Sequence, residues 1–153
     1  MKKILILDNI RSAHNVGSIF RTADGAGVSK IYLCGYTPTP IDRFGREVAE
    51  IKKTSLGATQ TVEWEQVISI IELVDRLQKE GVCVVAVEQT DQSIPLGDFV
   101  PKSDTAYIFG NEVDGVGQEA LKKTDQVVEI PMKGSKESLN VSVTVGIVLF
   151  AGQ

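Results

Sequence analysis

The chain has 153 residues, 42% of them apolar and 24% charged, the balance of a soluble globular protein of one domain. A domain of this size buries roughly 68–70% of its extended-chain surface, so one hydrophobic core suffices without disulfide or metal staples. The net charge of −4 counts against a general electrostatic grip on nucleic acid, which usually leaves a basic footprint on the protein.

Short apolar runs alternate with longer amphipathic ones, the pattern of an α/β domain with a mainly parallel sheet flanked by helices. Lys3–Asp8 is the first predicted strand; its four apolar residues are too few for a signal-peptide core. His14-Asn15 precedes a predicted helix, Val16–Gly25, that carries Arg21. Lys30–Leu33 is the next strand, followed by Gly35-Tyr36-Thr37-Pro38-Thr39-Pro40, whose prolines exclude helix. Helices are predicted over Gly45–Lys53 and Glu65–Glu80. The second is the clearer, with Val67, Ile70, Ile71, Val74 and Leu77 at helical spacing and Gly81 to end it. Strands Val82–Glu88, Ala106–Gly110 and Gln126–Glu129 follow, with a helix over Gln118–Lys122.

The C-terminal segment is ambiguous by pattern. Val141, Val143, Val145, Ile147 and Leu149 alternate, and β-branched alternation signals a strand. Yet Ser138 is a possible helix cap, and the opposite positions begin with the small Ser142, Thr144 and Gly146. The longest apolar stretch, Val141 to Ala151, falls short of the ~20 residues needed to span a bilayer. A cytoplasmic protein with no membrane partner is expected.

Several chemistries are poorly supported. Cys34 and Cys83 sit in apolar runs and are expected as buried reduced thiols; with a single histidine, no metal site assembles from Cys and His alone. Gly25-Ala26-Gly27 lacks the third glycine of a dinucleotide fingerprint and follows a helix rather than a strand. Gly134-Ser135-Lys136 has no upstream glycine at P-loop spacing. Without a Gly-x-Ser-x-Gly elbow, a hydrolase would need His14 and an unmarked serine.

Three polar knots stand at the ends of apolar runs. The first is His14-Asn15 with Arg21 six residues after the asparagine, and a solvated helix face accounts for Arg21 equally well. The second is Gly110-Asn111-Glu112 through Asp114-Gly115, placed after a strand, where open α/β sheets bind ligands. Residues of these types also make tight turns, with Glu112 capping backbone amides. The third runs from Ile130-Pro131-Met132 to Ser138-Leu139-Asn140-Val141-Ser142.

Taken together, the three knots resemble the motifs of the SpoU (TrmH) branch of the SPOUT methyltransferases. Asn15-Val16-Gly17-Ser18-Ile19-Phe20-Arg21-Thr22-Ala23 follows the family's Asn-x-Gly-x-x-x-Arg-Thr-Ala. Ile108 to Gly115 follows the second motif and Ile130 to Ser142 the third. Thr144 departs from the alanine common in the family, a change expected to affect helix packing. The match runs end to end at the length of the minimal catalytic domain, so residues 1–153 are expected to form a single SPOUT methyltransferase domain.

The resemblance implies a parallel-sheet α/β fold with a C-terminal trefoil knot, and a helix rather than a strand after residue 140. It implies a homodimer that binds S-adenosylmethionine and methylates a ribose 2′-hydroxyl of tRNA or rRNA. Gly110, Ile130, Met132 and Leu139 would cradle the cofactor. Arg21 would hold a phosphate and stabilise charge on the 2′-oxygen; Asn15, Ser138 and Asn140 would orient the ribose; and Glu112 would fix Arg21 or a loop amide. Arg11, Arg43, Arg46, Lys52 and Lys53 are candidate RNA contacts by charge clustering, unless an accessory RNA-binding protein selects the substrate. The competing classes are a non-catalytic RNA-binding or ribosome-assembly factor that keeps the fold, and a small-molecule α/β enzyme.

Overall fold

In the computed structural model, which describes residues 1–151, the elements run β1 (Lys3–Asp8), α1 (Ala13–Ala26), β2 (Lys30–Cys34), α2 (Ala49–Ser55), α3 (Ala58–Thr61), β3 (Glu63–Val67) and α4 (Ile70–Lys79). They continue with β4 (Cys83–Val87), β5 (Ile94–Pro95), β6 (Thr105–Phe109), α5 (Gln118–Lys123), β7 (Gln126–Glu129) and α6 (Val141–Phe150). The strands form one sheet in the order β3-β2-β1-β6-β4-β7-β5, with every pairing parallel. Both faces are covered. Leu5 and Leu7 pack with Val16, Ile19 and Phe20 of α1, Ile51 of α2, and Val145, Val148 and Leu149 of α6. Ile4 and Ile6 face the other way, toward Leu73, Val74 and Leu77 of α4 and Ala120 of α5. Burial on both faces is why the central strands read as unbroken apolar runs.

The mainly parallel α/β architecture is as expected, but three predicted elements change. The predicted Glu65–Glu80 helix divides: Glu63–Val67 is an edge strand on β2, with Trp64 opposite Ile31, and Lys30 Nζ meets Glu65 Oε2 at 2.9 Å. Val67 fits the helical spacing by coincidence. The helix begins after Ser69, whose hydroxyl accepts from Glu72 N. The predicted Gly45–Lys53 helix starts at Ala49, because Gly45 (φ 79°) belongs to a tight loop. Helix α1 starts early, at Ala13, because Ser12 caps it by accepting from Asn15 N at 3.1 Å. Asn15 is therefore in the first turn rather than ahead of the helix.

The C-terminal segment is a helix, as the resemblance implied, but Asn140 caps it and Ser138 does not; Asn140 Oδ1 accepts from Ser142 N at 2.9 Å. The alternating valines spread around the helix. Val145, Val148 and Leu149 are buried, while Val143, Ile147 and Phe150, three and four residues apart, are 51%, 39% and 50% exposed. Cys34 is a buried free thiol that burial, then Asp8 and Glu65, push up to about 12; Cys83 is only half-buried. No cluster of metal-ligating side chains occurs among the described residues, and no described helix is long and apolar enough to cross a membrane.

Parallel strands put the loops after β1, β2, β4, β6 and β7 at one end of the sheet. Neighbouring β1 and β6 send their following helices, α1 and α5, to opposite faces, which opens a crevice at that end.

Candidate functional site

A cleft of about 680 Å³ lies at the carboxyl ends of β4, β6 and β7, within the size range of small-molecule sites. Its walls include Glu88, Gly110 to Val116, Ile130, Met132, and Glu137 to Val141 with Thr144. The four predicted cofactor residues, Gly110, Ile130, Met132 and Leu139, all line it, as do Glu112, Ser138 and Asn140. Asn15 and Arg21 do not. Asn15 is tied to it indirectly, since Asn140 Nδ2 reaches Asn15 Oδ1 at 3.4 Å and joins the first motif to the third. Arg21 is exposed on α1.

The loop after β6 folds back on itself. Asn111 N donates to Gly115 O and Gly115 N to Asn111 O, at 3.2 and 2.8 Å. This brings Gly115 and Val116 so close to Gly110 that a Cβ there would overlap their backbone. Asn111 is 8% exposed and fully engaged: its Nδ2 donates to Asn9 O and Tyr36 Oη at 2.9 and 2.6 Å, and its Oδ1 accepts from Val113 N and Asp114 N. Glu88, just past β4, accepts from Val116 N at 2.9 Å and occupies the space a Gly115 side chain would need. Sequence reasoning gave no role to Glu88 or Tyr36 and saw only a turn residue in Asn111. A carboxylate directly after the apolar run ending at Val87 was the available signal for Glu88.

Glu112 fixes loop amides, not Arg21. Its Oε1 accepts from Arg11 N at 2.9 Å and its Oε2 from Ser12 N at 3.1 Å, clamping the loop after β6 to the start of α1. Partial burial pushes this carboxyl up, but amide hydrogen bonds from Arg11, its own backbone and Ser12, with help from the Asn15 side chain, outweigh it and hold the carboxyl below its ordinary value. A group depressed in the folded state stabilises it above the unfolded value, and that contribution disappears as pH falls through the folded value. We expect Glu112→Gln to cost about 1–2 kcal/mol at neutral pH, measured by urea unfolding. The gap to the parent should close as the solution is acidified through the carboxylate range; a gap independent of pH would show that the charge is not what holds the loop.

Thr144 does more than pack: its hydroxyl donates to Asn140 O at 3.2 Å and its side chain lines the cleft. The predicted basic cluster is half neutralised. Arg46 pairs with Asp42 at 3.0 Å and Lys52 with Glu47 at 2.9 Å, whereas no ion pair of Arg11, Arg43 or Lys53 is found among the described residues. All five cations are exposed.

The sequence profile of the SpoU rRNA Methylase family matches residues 2–150. The 23S rRNA (guanosine-2′-O-)-methyltransferase RlmB of Neisseria meningitidis is 34% identical over 146 residues, 95% of this chain and 56% of the relative. The chain thus spans just over half the length of the curated relatives it matches. Among solved structures, the AdoMet-bound rRNA methyltransferase from Sinorhizobium meliloti superposes with a TM-score of 0.86 at 30% identity, over 97% of this chain and 54% of that one. The A. aeolicus TrmH/SpoU tRNA modifying enzyme gives 0.85 at 28% identity, over 97% and 72%.

Proposed function

This chain belongs to the SpoU rRNA methylase family, and on that premise we propose that it transfers a methyl group from S-adenosylmethionine to a ribose 2′-hydroxyl of ribosomal or transfer RNA. The observation that carries this reading is the convergence of the second and third motifs on one cleft, to which Asn140 ties the first. The cleft suits such a donor. Ile130, Met132, Leu139 and Val141 would offer apolar surface to an adenine, the close-packed turn from Gly110 to Val116 shapes one wall, and Glu88 and Glu129 line the cleft with carboxylates able to accept from hydroxyl or ammonium groups.

When bound, S-adenosylmethionine supplies a methyl group already activated on sulfur. The chain's own residues must orient the ribose and favour negative charge on its 2′-oxygen. Asn140, held by Asn15 and by its cap on α6, and the exposed Ser138 are the residues we assign to the ribose. A guanidinium offers donors and no acceptor, so we assign Arg21 to the adjacent phosphate and the developing oxyanion, the proton leaving to phosphate or solvent. Because Arg21 does not line the cleft of its own chain, we place it at the cleft of a second copy. The exposed stripe Val143, Ile147 and Phe150 on α6 is the natural surface for that homodimer. We also propose that residues 130–140 thread the 88–104 connection in a trefoil knot. In support, the chain passes from the α5 face to the α6 face there, and Gln89 Nε2 donates to Glu137 O at 2.8 Å. Substrate choice would then fall to exposed cations such as Arg11, Arg43 and Lys53, or to an accessory RNA-binding protein.

The test is direct. With labelled S-adenosylmethionine and total RNA, label should enter ribose and not base, and calorimetry should show the cofactor binding the protein alone. A folded protein that binds RNA but no cofactor would instead be a non-catalytic RNA-binding or assembly factor.

A further inference from the structure

The connection from β2 to α2 carries a feature that methyl transfer does not use. Residues 42–46 form a tight loop closed by an antiparallel bridge between Ile41 and Glu47. Asp42 organises it: Oδ1 accepts from Phe44 N and Arg46 N, both at 2.9 Å, and Oδ2 from Arg46 Nε at 3.0 Å. Asp42 N donates to Arg46 O at 2.8 Å, and Gly45 N to Asp42 O at 3.0 Å. The tip presented by this scaffold is Phe44, 66% exposed, with the guanidinium carbons of Arg43 and Arg46 at 4.8 and 4.9 Å from its ring centre. An exposed phenyl ring beside two guanidinium groups, on a loop so fully hydrogen-bonded, is a prepared surface.

The same connection begins at the rim of the cleft. Tyr36, 60% exposed, accepts from the amide of Asn111, which lines the cleft. Strand β2 stands two places from β6 in the sheet, about 10 Å at ordinary strand spacing. Tyr36 and the 42–46 loop thus belong to one connection that is hydrogen-bonded to the cleft wall at Asn111, within reach of an extended RNA strand with one ribose at the cleft. Unpaired bases stack on aromatic rings and on guanidinium planes, and the loop offers both, while Arg43 makes no ion pair among the described residues and can meet a phosphate. A protein partner would call for a continuous apolar patch, but the ring's neighbours here are charged.

We propose that the Asp42–Arg46 loop is a docking finger for single-stranded RNA, in which Phe44 stacks on an unpaired base flanking the target nucleotide and Arg43 holds an adjoining phosphate. This rests on RNA being the substrate, although it does not require the methyl transfer itself. The experiment is fluorescence anisotropy of the full chain, at low salt, with a short labelled single-stranded RNA and with its duplex. Phe44→Ala should weaken single-strand binding about 5- to 100-fold and duplex binding little. Phe44→Trp should restore it and Phe44→Leu should not, which separates stacking from mere apolar contact. The salt slope should survive Phe44→Ala but fall by about one unit in Arg43→Gln. Cofactor binding and melting temperature should be unchanged in all of them. Equal single-strand affinities for parent, Phe44→Ala and Phe44→Leu would overturn the finger even if methyl transfer proceeds. Loss of affinity in Phe44→Ala with rescue by Trp would uphold it even if no methyl is transferred.

Discussion

Replacing Arg21 with alanine is expected to lower methyl transfer to RNA by about 10²–10³-fold, the usual cost of removing a donor that stabilises developing oxyanion charge. Cofactor affinity should hold at its parent value, because Arg21 is assigned to the RNA phosphate and the 2′-oxygen and is not among the cleft residues assigned to the cofactor. The fold should hold as well, since the side chain is exposed on α1 and is not part of the buried stripe Val16, Ile19, Phe20 and Ala23. Arg21→Lys should recover little, because an ammonium keeps the charge but loses the planar fork that grips a phosphate. The measurement is single-turnover transfer of labelled methyl, with calorimetry on the same preparations. Parental transfer rates in Arg21→Ala would remove this residue from the mechanism, and the proton argument with it.

The second large effect is expected at Gly110. Its lack of a side chain is what allows Gly115 and Val116 to close over it. The neighbours have little freedom to yield: Val116 N is bonded to Glu88, Gly115 N to Asn111 O, and the Asn111 amide is buried with its partners satisfied. Gly110→Ala should therefore cost about 1–3 kcal/mol of stability through overpacking and displace the wall of the cleft, so that cofactor binding becomes unmeasurable. Gly97→Ala is the control, since a Cβ there meets nothing within 4 Å. Thermal melts would separate general destabilisation from loss of the site. Parental cofactor affinity in a Gly110→Ala protein would show that the close approach does not shape the site.

That the second and third motifs gather at one place was legible, because each is marked by local residue type. Gly110, Ile130, Met132 and Leu139 all line the cleft, and the ends of β6 and β7 that precede them are marked by changes from apolar to polar sequence. The edge strand Glu63–Val67 was not legible. It carries two glutamates and is held by β2 on one side alone, so nothing in its own composition separates it from the helix that follows. Nor did charge counting foresee that Asp42 and Glu47 would take Arg46 and Lys52 out of the basic cluster; that depends on a turn at Gly45. Glu112 was expected near Arg21 or a loop amide, and only the packing of β6 beside β1 decided for the amides of Arg11 and Ser12.

By itself the sequence determined the alternation of strands and helices, the parallel sheet that follows from it, and three motifs, of which the second and third line the cleft. These are short-range properties, written in apolar period and residue type. Tertiary structure decided that residues 141–150 form a helix apolar on every side, buried against α1 on one face and open on the other. It also decided that Asn15 and Asn140, 125 residues apart, meet and tie α1 to the cleft, while Arg21 is not among its walls. Such outcomes turn on which strands become neighbours and on which face each crossover leaves, and no window of sequence contains that information.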